Sequence, residues 1–85
     1  MAKSKKPQPA KSDFESFLQQ VGERLKELRM EKGYTNYEHF AYDHNIARSQ
    51  YGKYEQGKDD MRLSSLYKLI QNHGLSFKEF FKNID

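Results

Sequence analysis

The feature that most constrains this chain is its punctuation. Glycines at 33, 57 and 74 close short stretches whose apolar residues recur at helical spacing. Phe14, Leu18, Val21, Leu25 and Leu28 advance in steps of four and three, and Gly33 ends that run. A shorter run carries Phe40 and Ala41 to about His44. Asn45 then supplies a residue that tolerates the left-handed conformation of a tight turn, and Ile46 returns towards the core. A third helix is expected from about Arg48 to Gln56, stopped by Gly57. Leu63, Leu66, Leu69 and Ile70 make a fourth apolar stripe, capped by Gly74, and Phe77, Phe80, Phe81 and Ile84 a fifth. Capping boxes of the form S/T-x-x-E stand at Ser12–Glu15, Thr35–Glu38 and Ser76–Glu79, with Asn36 an equal candidate to cap the second helix. Nothing alternates as a strand would. The expectation is an all-α fold, a compact bundle of five helices.

Such a bundle is thin. The chain has 85 residues, of which 35% are hydrophobic and 32% charged, and a core this size supplies only about 3–5 kcal/mol. Cysteine is absent, so neither disulfides nor thiolate metal sites reinforce it. No apolar run approaches the roughly 18 residues of a membrane span, and the lysine-rich start lacks the apolar stretch of a secretion signal. A cytoplasmic protein with no membrane contact is the expectation. Residues 1–13 read as a disordered basic tail, either a solubilising leader or an arm that lies on phosphates, and residues 14–85 as the folded domain. The formal charge of +3 resides in that tail, where four lysines face one aspartate. The domain carries eleven basic and eleven acidic side chains. Any affinity of the domain for nucleic acid must therefore come from local arrangement rather than net charge.

The third helix has such an arrangement. With Arg48 at 0° and about 100° per residue, Tyr51 and Tyr54 fall near 300° and 240° and define an inward side. Ser49, Gly52, Lys53 and Gln56 face the other way, with Arg48 at the N-terminal edge. Arginine grips guanine O6 and N7, lysine reaches guanine, and serine or glutamine adapts to several base edges. Gly52 costs about 1 kcal/mol of helix propensity; a close approach should offset it, either to helix two at Ala41 or to bases. Two short helices joined by a tight turn suggest a helix-turn-helix in helices two and three.

Residues 21–81 resemble the lambda-repressor and Cro-like (XRE-type) helix-turn-helix DNA-binding family. The resemblance rests on VGERLKELRMEKG, FAYDHNIARSQYGKYEQG and LSSLYKLIQNHGLSFKEFF, and within them on Phe40-Ala41, Ile46, Arg48-Ser49-Gln50 and Tyr54-Glu55-Gln56-Gly57. It implies that Ala41 lies where helices two and three meet, and that Ile46 and Tyr51 are turn and core residues. It also implies that Arg48, Ser49 and Lys53 read bases, while Asn36, Tyr37 and Lys58 contact the DNA backbone; Gln50 is assigned to the backbone with them. An ion pair between Arg29 and Glu55 would join helices one and three. Glu55 sits at a helix C-terminus, where the dipole opposes a carboxylate, and Arg29 lies to one side of the buried stripe. Removal of Arg29 is expected to cost roughly 2–4 kcal/mol if the pair is buried. The sequence departs from the pattern by one extra residue before Phe40, by phenylalanine at 40, and by His44 and His73 at usually aliphatic positions. Hydrogen-bonded histidines are expected there.

The remaining chemistry is sparse. His39 and His44 are five apart, the wrong spacing for one helical face, so no metal and no cofactor is expected. No nucleophile, acid–base pair or phosphate loop is present, so the chain does not read as an enzyme. Tyr34, Tyr37, Tyr42 and Tyr67 are better used in packing than in stacking on bases. Adjacent Phe80 and Phe81 cannot both point inward; one of them, with Ile84, is a candidate dimer edge, and the front of helix one carries Phe14 and Phe17 towards the C-terminus or a second subunit. The function expected is a nucleoid-associated transcription regulator, a repressor that binds a double-stranded DNA operator as a homodimer. The alternative is a protein-interaction module, such as an antitoxin with a protein partner.

Overall fold

The computed structural model describes residues 13–84. Five helices follow in order: α1 (Asp13–Glu31), α2 (Tyr37–Asp43), α3 (Arg48–Gln56), α4 (Leu63–Asn72) and α5 (Phe77–Phe80). No strand occurs among the described residues. The Ser12 cap and residues 1–12 of the basic tail lie outside them, while Asp13, assigned to the tail, opens α1.

Helix ends follow the chemistry of the chain. Asn36 rather than Thr35 caps α2: its Oδ1 accepts from the His39 N–H at 2.8 Å. Ser76 and Glu79 complete a reciprocal capping box that supports α5, a single turn. Asn45 takes φ of 62° between α2 and α3, and the Ile46 N–H donates to the Ala41 carbonyl at 2.9 Å to close that turn. Gly57 ends α3 at φ of 71°. A β-carbon there would also lie 2.8 Å from the Gln19 Cα, so two independent constraints require glycine.

The core gathers Val21, Leu25 and Leu28 of α1, Phe40 and Ala41 of α2, Tyr51 and Tyr54 of α3, Leu66, Leu69 and Ile70 of α4, and Phe80 of α5. Helix α3 packs against both α1 and α2, which holds its remaining side towards solvent. Gly22 makes the α1 contact possible. A β-carbon at that position would stand 2.4 Å from the Glu55 carbonyl oxygen and 2.6 Å from that of Tyr54. The helices therefore meet backbone to backbone at the end of α3.

Several expectations fail at the surface. Leu63 is 75% exposed and Phe14 51% exposed, so neither extends the buried stripe of its helix. Each stands in the first turn of its helix, beyond the reach of the core. Tyr42 and Tyr67 are also exposed, whereas Tyr34 and Tyr37 pack against the core as expected. Phe80 is the inward member of its pair and fully buried, so it forms no part of a dimer edge. Phe81 and Ile84 are half-buried. Phe17 stacks on Phe81 with ring centroids 6.1 Å apart, joining the front of α1 to the C-terminal turn.

A candidate nucleic-acid interface

Helix α3 shows two chemically distinct sides. Tyr51 is fully buried and Tyr54 nearly so, while Arg48, Ser49 and Lys53 are all exposed. The outward face, which also carries the exposed Gln56, holds no large apolar side chain, and its two cations and hydroxyl are those of Arg48, Lys53 and Ser49. Those side chains come from the first two turns of α3, whose orientation is set by Tyr51 and by the α2–α3 turn.

The ion pair that ties α3 to α1 is buried. Arg29 is 4% exposed. Its Nε and Nη2 donate to the two Glu55 carboxylate oxygens at 2.8 and 2.9 Å, and its Nη1 donates to the Tyr34 carbonyl at 2.9 Å. Hydrogen bonding to Glu55 holds the guanidinium above its ordinary pKa, against the opposing effect of burial. The fork geometry suits arginine and would not be met by lysine. The Tyr51 hydroxyl is buried beside this pair without completing a hydrogen bond, and burial pushes its pKa up.

The backbone-contact candidates separate. Lys58 is exposed in the loop after α3, with its N–H donating to the Lys53 carbonyl at 2.9 Å. Asn36 is exposed, but its carbonyl oxygen is committed to capping α2. Gln50 is half-buried and donates to the Asp59 carboxylate, so its amide ties α3 to the following loop. Tyr37 is half-buried and leans on α3. A β-carbon on Gly52 would lie 2.8 Å from its Cε1 and 2.9 Å from its Cζ. Gly52 is thus buried under a side chain of α2, through Tyr37 rather than Ala41, and shows no surface of its own between Arg48 and Ser49.

The two histidines behave differently. His44 Nδ1 lies 3.0 Å from the Phe40 carbonyl, which can only accept, so this nitrogen carries the proton. His73 finds no such partner. Its Nε2 is buried and unpaired, and its ring stacks on Phe40 at 5.4 Å while His44 stacks on Phe40 at 4.1 Å. Burial, with Lys32, His44 and Arg24 nearby, lowers the His73 pKa to about 4.

Sequence reasoning missed Gly22, the Tyr37–Gly52 contact and Arg24. The last donates to the Phe80 carbonyl at 3.2 Å and lies 5.9 Å from the Phe80 ring centre. The signal for Gly22 was present, since a glycine inside an otherwise strong helical run calls for a close neighbour.

These features match a known family. Residues 25–80 fit the helix-turn-helix family profile. The chain belongs to the helix-turn-helix family. Control protein C.MunI of Mycoplasma sp is 34% identical over 64 residues, covering 75% of this chain and 86% of that protein. The restriction-modification controller protein C.AhdI from Aeromonas hydrophila superposes with a TM-score of 0.70 at 31% identity, over 82% of this chain and all of that one. The controller C.Esp1396I, solved as a tetramer in complex with its natural 35 base-pair operator, gives a TM-score of 0.67 at 26% identity, over 85% and 90% of the two chains. The resemblance drawn from residues 21–81 therefore holds, and with it the class: a DNA-binding regulator of transcription.

Proposed function

We propose that this protein is a controller-type transcription regulator that binds a double-stranded DNA operator and inserts α3 into the major groove. The observation that carries the reading is the exposure of Arg48, Ser49 and Lys53 on the side of α3 that the bundle leaves open. Arg48 is assigned to a guanine, Ser49 and Lys53 to neighbouring base edges, and Asn36, Gln50 and Lys58 to the phosphate rail. Lys58 makes the simplest rail contact, because its ammonium is exposed. The molecule works by occupancy, as a repressor, in the cytoplasm with the nucleoid, and binding rather than catalysis is its activity.

Two copies reading a two-fold operator would place their recognition helices about 34 Å apart. The surface assigned to the second copy is the one where Phe81 and Ile84 continue into Phe77 and Tyr67, whose rings are 6.1 Å apart and 39% and 53% exposed. Selection from a pool of random duplexes tests the whole reading. The parent should enrich one two-fold motif, with an affinity that falls steeply with salt. Arg48→Ala should relax preference at one position per half-site by about 1–3 kcal/mol. Enrichment of the same motif with the same preferences by the Arg48→Ala variant would refute the assignment.

A further inference from the structure

Gly52 lies about 40° round α3 from Arg48, and Ser49 about 100°, so the gap in side chains at Gly52 falls between two of the residues assigned to base reading. That gap is filled from outside the helix. The hydroxyl end of Tyr37 occupies it: Cε1, Cζ and Oη lie 2.8, 2.9 and 3.1 Å from the place a Gly52 β-carbon would take. The phenol of an α2 residue therefore stands where α3 itself would have shown a side chain. Tyr37, Glu38, Arg48 and Ser49 line a single concave notch there.

Two further facts bear on what the phenol does. The ring is anchored, tilted against the buried Tyr51 ring with centroids 6.5 Å apart, so its position is set by the core. Its hydroxyl makes no hydrogen bond among the described residues, and it is not among the sealed, unpartnered polar atoms. A phenol held rigid by packing, with its donor and acceptor unspent, is preorganised for an external partner. The neighbouring side chains decide which partner. Arg48 and Ser49, the groups assigned to base edges, line the same notch as the phenol.

We propose that Tyr37, through its phenolic hydroxyl, is a fourth base-reading residue, placed on the reading face of α3 by the missing side chain of Gly52. This rests on the reading of α3 as the groove-entering helix, and it moves Tyr37 from the backbone contact that the family resemblance implies to a contact with the base pair beside the one read by Arg48. The recognition surface is then composite, three side chains from α3 and one from α2.

Tyr37→Phe tests it, because only the hydroxyl is removed and the ring keeps its packing. The parent and the variant are each used to select from the same random duplex pool, and affinities are measured on the selected motif and its single-base variants. The expected result is a loss of preference at one base pair per half-site, roughly 3- to 10-fold, the worth of one neutral hydrogen bond, with other positions unchanged. Gly52→Ala, whose β-carbon displaces the phenol, should flatten the same position, and its thermal unfolding shows whether it has folded. A uniform loss by Tyr37→Phe across all sequences would overturn the proposal in favour of a phosphate contact. An unchanged preference profile would overturn it in favour of a packing role alone. Failure of the parent to enrich any motif is a different result, and it removes the DNA-reading assignment itself.

Discussion

Replacing Arg29 by alanine strips three hydrogen bonds from the junction of α1, α3 and the Tyr34 loop. Two of them are charge-assisted and bidentate, and both side chains are sealed, at 5% and 7% exposure. What remains in Arg29→Ala is a Glu55 carboxylate without its cation, a Tyr34 carbonyl without its donor, and a void the size of the guanidinium. Breaking a buried pair from one side costs about 3–5 kcal/mol, whereas an exposed pair is worth about 0–1 kcal/mol. The burial here places the expected loss at about 3–4 kcal/mol, at the upper end of the range anticipated from sequence. A domain of this size loses about 4–8 °C of Tm per kcal/mol, so the variant should be largely unfolded by physiological temperature. Urea titration followed by circular dichroism at 10–15 °C, roughly where stability is greatest, measures the difference. A double variant, Arg29→Met with Glu55→Leu, removes both charges and should recover most of the loss, since the single variant's cost is dominated by the orphaned carboxylate. A loss below about 0.5 kcal/mol for Arg29→Ala would refute the argument by showing the pair to be hydrated. Equal losses for the single and double variants would refute the orphaned-charge explanation.

Two further predictions concern stability. His73 is neutral in the fold, with its pKa lowered to about 4 from 6.5, so its contribution is complete above pH 6.5 and is lost as pH falls from there towards 4. The loss reaches about 3 kcal/mol at most; His73→Leu should flatten the stability–pH curve across that interval, and an unchanged slope would exclude His73 as its source. Gly22→Ala should destabilise by about 2 kcal/mol, since overpacking against the Tyr54 and Glu55 carbonyls outweighs the gain in helix propensity. A stabilised variant in thermal unfolding would show that the helices can separate at no cost.

Much of the fold was legible because it depends on local chemistry. The glycines at 33, 57 and 74 all take positive φ, and a residue's tolerance for that conformation is set by its own atoms. The same holds for Asn45 and for the Ser76–Glu79 box. The inward side of α3 followed from the helical period, because Tyr51 and Tyr54 must share a face, and the exposure of Arg48, Ser49 and Lys53 followed as its complement. Periodicity failed at helix ends, where Phe14 and Leu63 keep the right phase but have nothing above them to meet.

By itself, then, the sequence determined that helices close at Gly33, Gly57 and Gly74, which side of each is apolar, and that α3 turns Arg48, Ser49, Lys53 and Gln56 outward, but not that α5 stops at Phe80. Only the tertiary structure decided which groups from different helices touch. Gly22 against the α3 carbonyls, Tyr37 in the place of a Gly52 side chain, Phe80 inward of Phe81, and His73 without a hydrogen-bond partner all depend on distances between segments remote in the chain. A one-dimensional pattern records the direction a side chain leaves its own helix. It holds no record of what stands in the way.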